Sequence, residues 1–330
     1  MRHAGKHGAE PNQGANQARR HDEGQRAGPL CYGQSGFVFH GSFPRFAGKN
    51  RRVHTSHQKT IAHTLAGWSR RKINSIVTCQ SSPEGFNRRM RILPVLDLMK
   101  GLVVRAQGGR RKEYRPLISG IIRSSHPLDV AQAFRFHFGL KELYLADLDA
   151  IAGRPPALQT YTSLRKRGFQ LWLEPGIKQA PDAEKPAEAG IETIIGGLET
   201  LAGPEVLEAL CRTYSPVRIV FSLDLRNGQP FGKPEIWGYT PMEIVRRAVG
   251  CGVQRLLILD LARVGVGKGI GTEDLCKQVA AEFPQVELSA GGGIRGPEDL
   301  ASLKGTGVKF VLVASALHDG RLTRADLEAV

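Results

Sequence analysis

The chain has 330 residues, 46 Lys plus Arg against 31 Asp plus Glu, and a formal net charge of +15. It contains no run of about 18 apolar residues, which excludes a membrane-spanning helix, and no apolar stretch near its start that would serve as a secretory signal. The five cysteines (Cys31, Cys79, Cys211, Cys251 and Cys276) include no C-x-x-C pair, which argues against a disulfide framework or a Cys-based zinc site and for a reducing compartment, the cytoplasm.

The charge is unevenly spread. Residues 1–89 hold 15 basic and 4 acidic side chains and seven of the ten His, whereas residues 90–330 hold 31 basic and 27 acidic ones. Up to Arg89 no period of 3.6 or 2 is sustained, and apolar patches such as 37–39 and 61–65 are isolated. That composition buries too little apolar area to offset chain entropy, so the segment is predicted to be disordered. It reads as an inert tail, or as translated sequence upstream of a start at Met90. A targeting peptide and a polyanion-binding arm are the other readings. Its His residues are scattered rather than set at ligand spacing, so no metal site is expected there.

From Arg91 onward, short β-branched apolar runs alternate with stretches of helical period. Strands are predicted at 91–97, 142–148, 169–174, 192–196, 217–224, 254–261, 285–290 and 308–314. The clearest helices between them are 127–138, 203–213, 241–249, 272–283 and 297–303. Trp172 and Phe136 are expected to pack in the core or between strand and helix, and His126, His137 and His318 to be structural. Eight nearly continuously apolar strands, each followed by a helix, indicate an α/β fold, a closed (β/α)8 barrel over 90–330. A doubly wound open sheet is the alternative.

The halves of this region resemble each other. Leu96-Asp97-Leu98-x-x-Gly101 recurs as Leu223-Asp224-Leu225-x-x-Gly228, Asp147-Leu148 as Asp260-Leu261, and Gly176-Ile177-Lys178 as Gly293-Ile294-Arg295. Such a correspondence implies two similar (β/α)4 halves, which an open sheet does not.

In a barrel of this kind, chemistry sits at the C-terminal ends of the strands. Asp97 and Asp224 both fall there, on opposed strands one and five, which suits general acid/base work by one protonated and one ionised carboxyl group. Either Asp alone would read as a helix cap; the symmetry-related pair favours catalysis. The run Gly291-Gly292-Gly293 after strand seven, with Ala314 and Ser315 after strand eight, reads as an anion cradle. The long basic loop Gly108–Pro116 is either a solvated charge run or a cover for the mouth that holds an anionic substrate.

These residues resemble a known family. The run from Arg91 through Asp97 to Arg105 is similar to the opening of the histidine-biosynthesis barrel family. That family holds the phosphoribosylformimino-aminoimidazole carboxamide ribotide isomerase and the cyclase subunit of imidazole glycerol phosphate synthase. Ala146-Asp147-Leu148-Asp149-Ala150 resembles the isomerase more than the cyclase. The likeness spans 90–330 and none of 1–89. It implies an Amadori rearrangement of an aminoaldose phosphate, without metal or organic cofactor, with Asp97 as base and Asp224 as acid. It also implies one phosphate at Gly291, Gly292, Gly293, Ala314 and Ser315, a second at Gly176, Gly196 and Gly197, and Arg105 as a further substrate contact.

Three positions depart from the family pattern. The strand-three loop reads Glu174-Pro175-Gly176 where the isomerase has glycines, so Pro175 lacks an N–H and Glu174 would repel a phosphate. Leu259-Asp260 stands after strand six in place of Thr-Asp, and the Arg-Arg-Lys-Glu-Tyr-Arg-Pro loop resembles isomerase-like relatives outside histidine synthesis. The reading is therefore a sugar-phosphate isomerase, acting on the histidine intermediate or on a related mono-phosphorylated compound. A lyase or cyclase with the same Asp pair and a non-catalytic phosphometabolite-binding barrel are the alternatives. The expected partner is a small phosphorylated molecule, not nucleic acid or membrane, and the expected assembly a monomer or weak homo-oligomer.

Overall fold

A computed structural model describes residues 89–215 and 218–330. The expectations of disorder, targeting or polyanion binding in the basic N-terminal segment lie outside the described residues. Eight parallel strands follow the predicted order: β1 (Arg91–Met99), β2 (Glu142–Asp147), β3 (Gln170–Glu174), β4 (Thr193–Gly197), β5 (Ile219–Arg226), β6 (Arg255–Asp260), β7 (Glu287–Gly291) and β8 (Val308–Val313). Each pairs with its neighbours in sequence, and β8 returns to β1 with Arg91 opposite Phe310 and Pro94 opposite Val313. The sheet is thus a closed barrel, not the open alternative.

Among the described residues, eleven helices lie between the strands or follow the last one. They are α1 (Pro127–Phe138), α2 (Leu148–Ile151), α3 (Leu158–Lys166), α4 (Glu184–Glu188), α5 (Pro204–Tyr214), α6 (Pro234–Trp237), α7 (Pro241–Gly250), α8 (Glu273–Glu282), α9 (Pro297–Ser302), α10 (Ser315–His318) and α11 (Arg324–Glu328). The five predicted helices match α1, α5, α7, α8 and α9 to within a residue or so. Several begin with Pro at a first-turn position, where its missing N–H costs no hydrogen bond.

Strand alternation divides the core into two clusters. Leu96, Leu145, Leu173, Ile194, Leu223 and Ile258 face outward, beneath the helices. Leu93, Tyr144, Trp172, Ile195, Val220 and Phe310 face inward and fill the barrel. The period of two carries this inward face upward from Leu93 to Asp97, from Trp172 to Glu174 and from Val220 to Asp224. Phe136 departs from expectation: it is 82 % exposed. It lies two residues after the buried Phe134, and 100° per residue turns it onto the solvent face of α1.

The internal repeat extends to strand register. Leu98 stands opposite Asp147 as Leu225 stands opposite Asp260, and Ala146 opposite Glu174 as Leu259 opposite Gly291. Both Leu-x-x-Gly motifs end in the same tight hairpin. Lys100 and Gly101 have φ of 53° and 77°, and Asn227 and Gly228 have φ of 53° and 77°, the paired positive values of a type I′ turn. After the first turn, Leu102–Arg105 runs antiparallel to β1; after the second, Gln229–Pro230 pairs back on β5.

Candidate active site

The upper layer of the barrel interior comes from the odd-numbered strands: Asp97 on β1, Glu174 on β3, Asp224 on β5 and Gly291 on β7. Asp97 is partly open to the cavity above, whereas Glu174 and Asp224 are buried. Burial raises the Asp97 carboxyl to about 7, against an opposing pull from the Arg111 guanidinium. Burial likewise raises Glu174 to about 7, although the Tyr144 hydroxyl donates a hydrogen bond to its Oε2 and favours the carboxylate. Asp224 is held well above the usual carboxylate range, first by burial and then by the neighbouring charge of Glu174. The Ser222 hydroxyl donates to Asp224 Oδ1 at 2.7 Å, and the Glu199 amide to Oδ2 at 3.4 Å. Two carboxyl groups that cannot both ionise cheaply thus adjoin a third that is polarised by a guanidinium.

These groups open onto one cavity of about 910 Å³ at the C-terminal mouth. The basic loop after β1 covers part of it. Its short 3-10 turn, Arg111–Glu113, turns the Arg111 guanidinium inward to an ion pair with Glu199, and Tyr114 is buried beside it. Of the two readings of this loop, the cover over the mouth describes Arg111. Glu113 instead pairs with Arg110 at the surface, 2.7 Å away.

The loops after β7 and β8 carry the residues read as an anion cradle. Gly292 and Gly293 have φ of +94° and +92°, a backbone that only glycine adopts without strain. A side chain at Gly293 would also meet the Gly269 carbonyl at 2.5 Å. Ala314 and Ser315 line the same side, with Arg105 and Arg321 at its rim. Asp319 fixes both guanidinium groups, accepting from Arg105 Nη2 at 2.8 and 2.6 Å and from Arg321 Nη2 at 3.0 Å. His318 is buried between Phe134 and the Ser119 hydroxyl; burial lowers it to about 4, so the ring is neutral.

The cavity therefore brings together Asp97, Asp224, Arg105, Gly292, Gly293, Ala314 and Ser315. Gly176, Gly196 and Gly291 are not among its lining residues; they serve close packing instead. A Cβ on Gly176 would meet the Ile151 backbone at 2.6 Å, one on Gly196 the Leu201 side chain at 2.9 Å, and one on Gly291 the Leu312 Cβ at 2.6 Å. Gly197 stands beneath the carboxyl groups, where a Cβ would lie 2.7 Å from Glu174 Oε1 and 3.1 Å from Asp224 Oδ2.

Sequence reasoning missed Glu199, Tyr144 and Arg321 as parts of the site, and named Glu174 only as a residue that would repel a phosphate. Glu174 was within reach, because the repeat aligns it with Gly291 in the upper layer. Asp147 and Asp260 share a register position but act locally. Asp147 accepts from the Ala157 amide at 2.9 Å and from the Tyr161 hydroxyl. Asp260 accepts from the amides of Asn227 and Gly228 at 3.1 and 2.9 Å. Among the described residues, no three His, Cys, Asp or Glu side chains are grouped to hold a metal ion, and no helix is long and apolar enough to cross a membrane.

Comparison with known proteins agrees with this architecture. A family described as Histidine biosynthesis protein matches residues 91–323. The chain belongs to that family. Members similar to it include an uncharacterized protein of Methanocaldococcus jannaschii, 34% identical over 246 residues that cover 73% of this chain and 97% of the relative. Another is the 1-(5-phosphoribosyl)-5-((5-phosphoribosylamino)methylideneamino) imidazole-4-carboxamide isomerase of Klebsiella pneumoniae, 32% identical over 70% of this chain and 94% of the relative. The protein of the same name from Methanosarcina barkeri is 30% identical over 70% of this chain and 94% of its own length. The family match begins at Arg91, the first residue of β1.

Proposed function

We propose that this barrel is an intramolecular aldose–ketose isomerase that carries out an Amadori rearrangement on a phosphorylated aminosugar. The observation that carries the reading is the pair Asp97 and Asp224, register-equivalent on opposed strands and open to one cavity. The family members named as isomerases support it. Asp224, buried and beside Glu174, holds its proton and acts as the acid: it protonates the ribose ring oxygen, and the ring opens to a Schiff base. Asp97, with Arg111 favouring its ionised form, takes the proton from C2. The resulting enolamine then tautomerises to the aminoketose. The phosphate sits against Gly292, Gly293 and Ser315, within reach of Arg105 and Arg321.

The test uses purified full-length protein and an N-substituted ribosylamine 5-phosphate, followed by NMR. The expected result is loss of the anomeric C1–H signal and growth of a C1 methylene signal next to a ketone. No conversion of any such substrate by a folded protein overturns the reading. Growth of an isomerase-deficient histidine auxotroph carrying this chain assigns the histidine intermediate as substrate. Conversion in vitro without growth assigns a related phosphorylated aminosugar outside histidine synthesis.

A further inference from the structure

The two halves of the barrel superpose in register, so each residue of the loop-seven and loop-eight cradle has a counterpart across the mouth. Glu174, opposite Ala146, takes the place that Gly291, opposite Leu259, has in the other half. Pro175 and Gly176 then correspond to Gly292 and Gly293. Gly196 stands opposite Phe221 as Val313 stands opposite Pro94, so Leu198, two residues on, corresponds to Ser315 and Glu199 to Ala316. The first half has thus exchanged most of the features that suit an anion, keeping only the positive-φ glycine at Gly176. A flexible glycine becomes Pro175, which has no N–H to donate. The Ser315 hydroxyl becomes the buried apolar Leu198, and two carboxylates, Glu174 and Glu199, enter.

The exchange is built in rather than loosely tolerated. Tyr144 is buried beneath Glu174 and donates its hydroxyl to Oε2, while Gly197 leaves no room even for a methyl group between Oε1 and Asp224. Arg111 pairs with Glu199 and acts on Glu174 only through its field, and among the described residues neither Glu174 nor Asp224 has an ion pair of its own. The cavity therefore carries Arg105 and Arg321 beside the cradle and Glu174 with Asp224 across the mouth, where the nearest guanidinium, Arg111, is taken up by Glu199.

We propose that the site accepts a substrate with a single phosphate, seated at loops seven and eight, whose other end presents an ammonium or similar cationic hydrogen-bond donor to Glu174. A second phosphate would meet carboxylate where the first meets glycine backbone, a repulsive contact that selects against bisphosphates. An ammonium group in the same place makes a charge-assisted hydrogen bond. The inference rests on the reading of this cavity as a sugar-phosphate site.

Binding to the full-length protein, measured by isothermal titration with three probes, tests it without recourse to turnover. Glucosamine 6-phosphate should bind about tenfold more tightly than glucose 6-phosphate, which is the scale of one charge-assisted hydrogen bond. Fructose 1,6-bisphosphate should bind no more tightly than glucose 6-phosphate. In Glu174→Gln the ratio of the two hexose monophosphate affinities should fall to near parity. Equal binding of the two hexose monophosphates by the wild type, or tighter binding of the bisphosphate, overturns this inference alone. Failure of all three probes to bind overturns the sugar-phosphate reading and this inference with it. The wild-type comparison decides the matter even where the variant does not fold.

Discussion

A carboxyl group suits proton transfer when its surroundings place its proton near neutrality, and three influences do this for Asp97: burial raises it, Arg111 lowers it, and Glu174 competes for the same cation. Asp97→Asn and Asp224→Asn each remove one proton transfer of the proposed reaction, so turnover should drop by roughly 10²–10⁴ with the fold intact, as steady-state kinetics and circular dichroism would show. Because Asp97 must be ionised to act as a base, activity should rise as pH passes about 7. Removing the guanidinium in Arg111→Met takes away the one influence that favours the carboxylate, so this rising limb should move to higher pH. A limb that stays in place would mean that a different group is the base.

At the scale of elements, the two hairpins show how a repeat keeps its backbone while changing its supports. The second turn rests on Asp260, which is buried and accepts from Asn227, Gly228 and, at 2.9 Å, Ala262. The first turn rests on the more exposed Asp149, whose Oδ2 accepts from the Lys100 amide at 2.5 Å. Asp260→Ala removes a buried acceptor that serves three amide donors and should cost about 2–3 kcal/mol, whereas Asp149→Ala should cost less than about 1 kcal/mol; thermal melts compare the two directly. The strands were legible because β-branched runs of five to nine residues repeat eight times, and the Asp pair because each is followed by Leu-x-x-Gly. Helices α2, α4, α6 and α10 span only four or five residues each, too few for a period to be read. Nor could local sequence show that Arg111 turns inward to Glu199, which lies 88 residues further along the chain. Tyr144 was hidden for a related reason: in an apolar strand it looks like core, and only the β2–β3 pairing sets its hydroxyl on Glu174.

For the molecule as a whole, the carboxyl groups that equip the mouth also shape its stability. In the unfolded chain Asp97, Glu174 and Asp224 titrate near 4. Folded, Asp97 and Glu174 stay protonated up to about 7 and Asp224 is also raised, so the native state binds more protons than the unfolded one across that window. Their contribution is therefore fully present below about 4 and is lost as pH rises through about 7. His318 acts in the opposite sense. Lowered to about 4, it stays neutral in the fold, and its contribution is lost as pH falls from about 6.5 towards 4. The two effects offset each other partly at mildly acid pH, but above about 6.5 only the carboxyl groups still titrate. The melting temperature should accordingly fall between pH 6.5 and pH 8, by roughly 2–6 °C for a domain of this size. Glu174→Gln, which keeps the shape of the side chain but has no proton to lose, should melt with a shallower dependence over the same interval. A melting temperature that rises from pH 6.5 to 8 in the wild type would show that the mouth is ionised at no cost, and with it that Asp224 holds no proton to give.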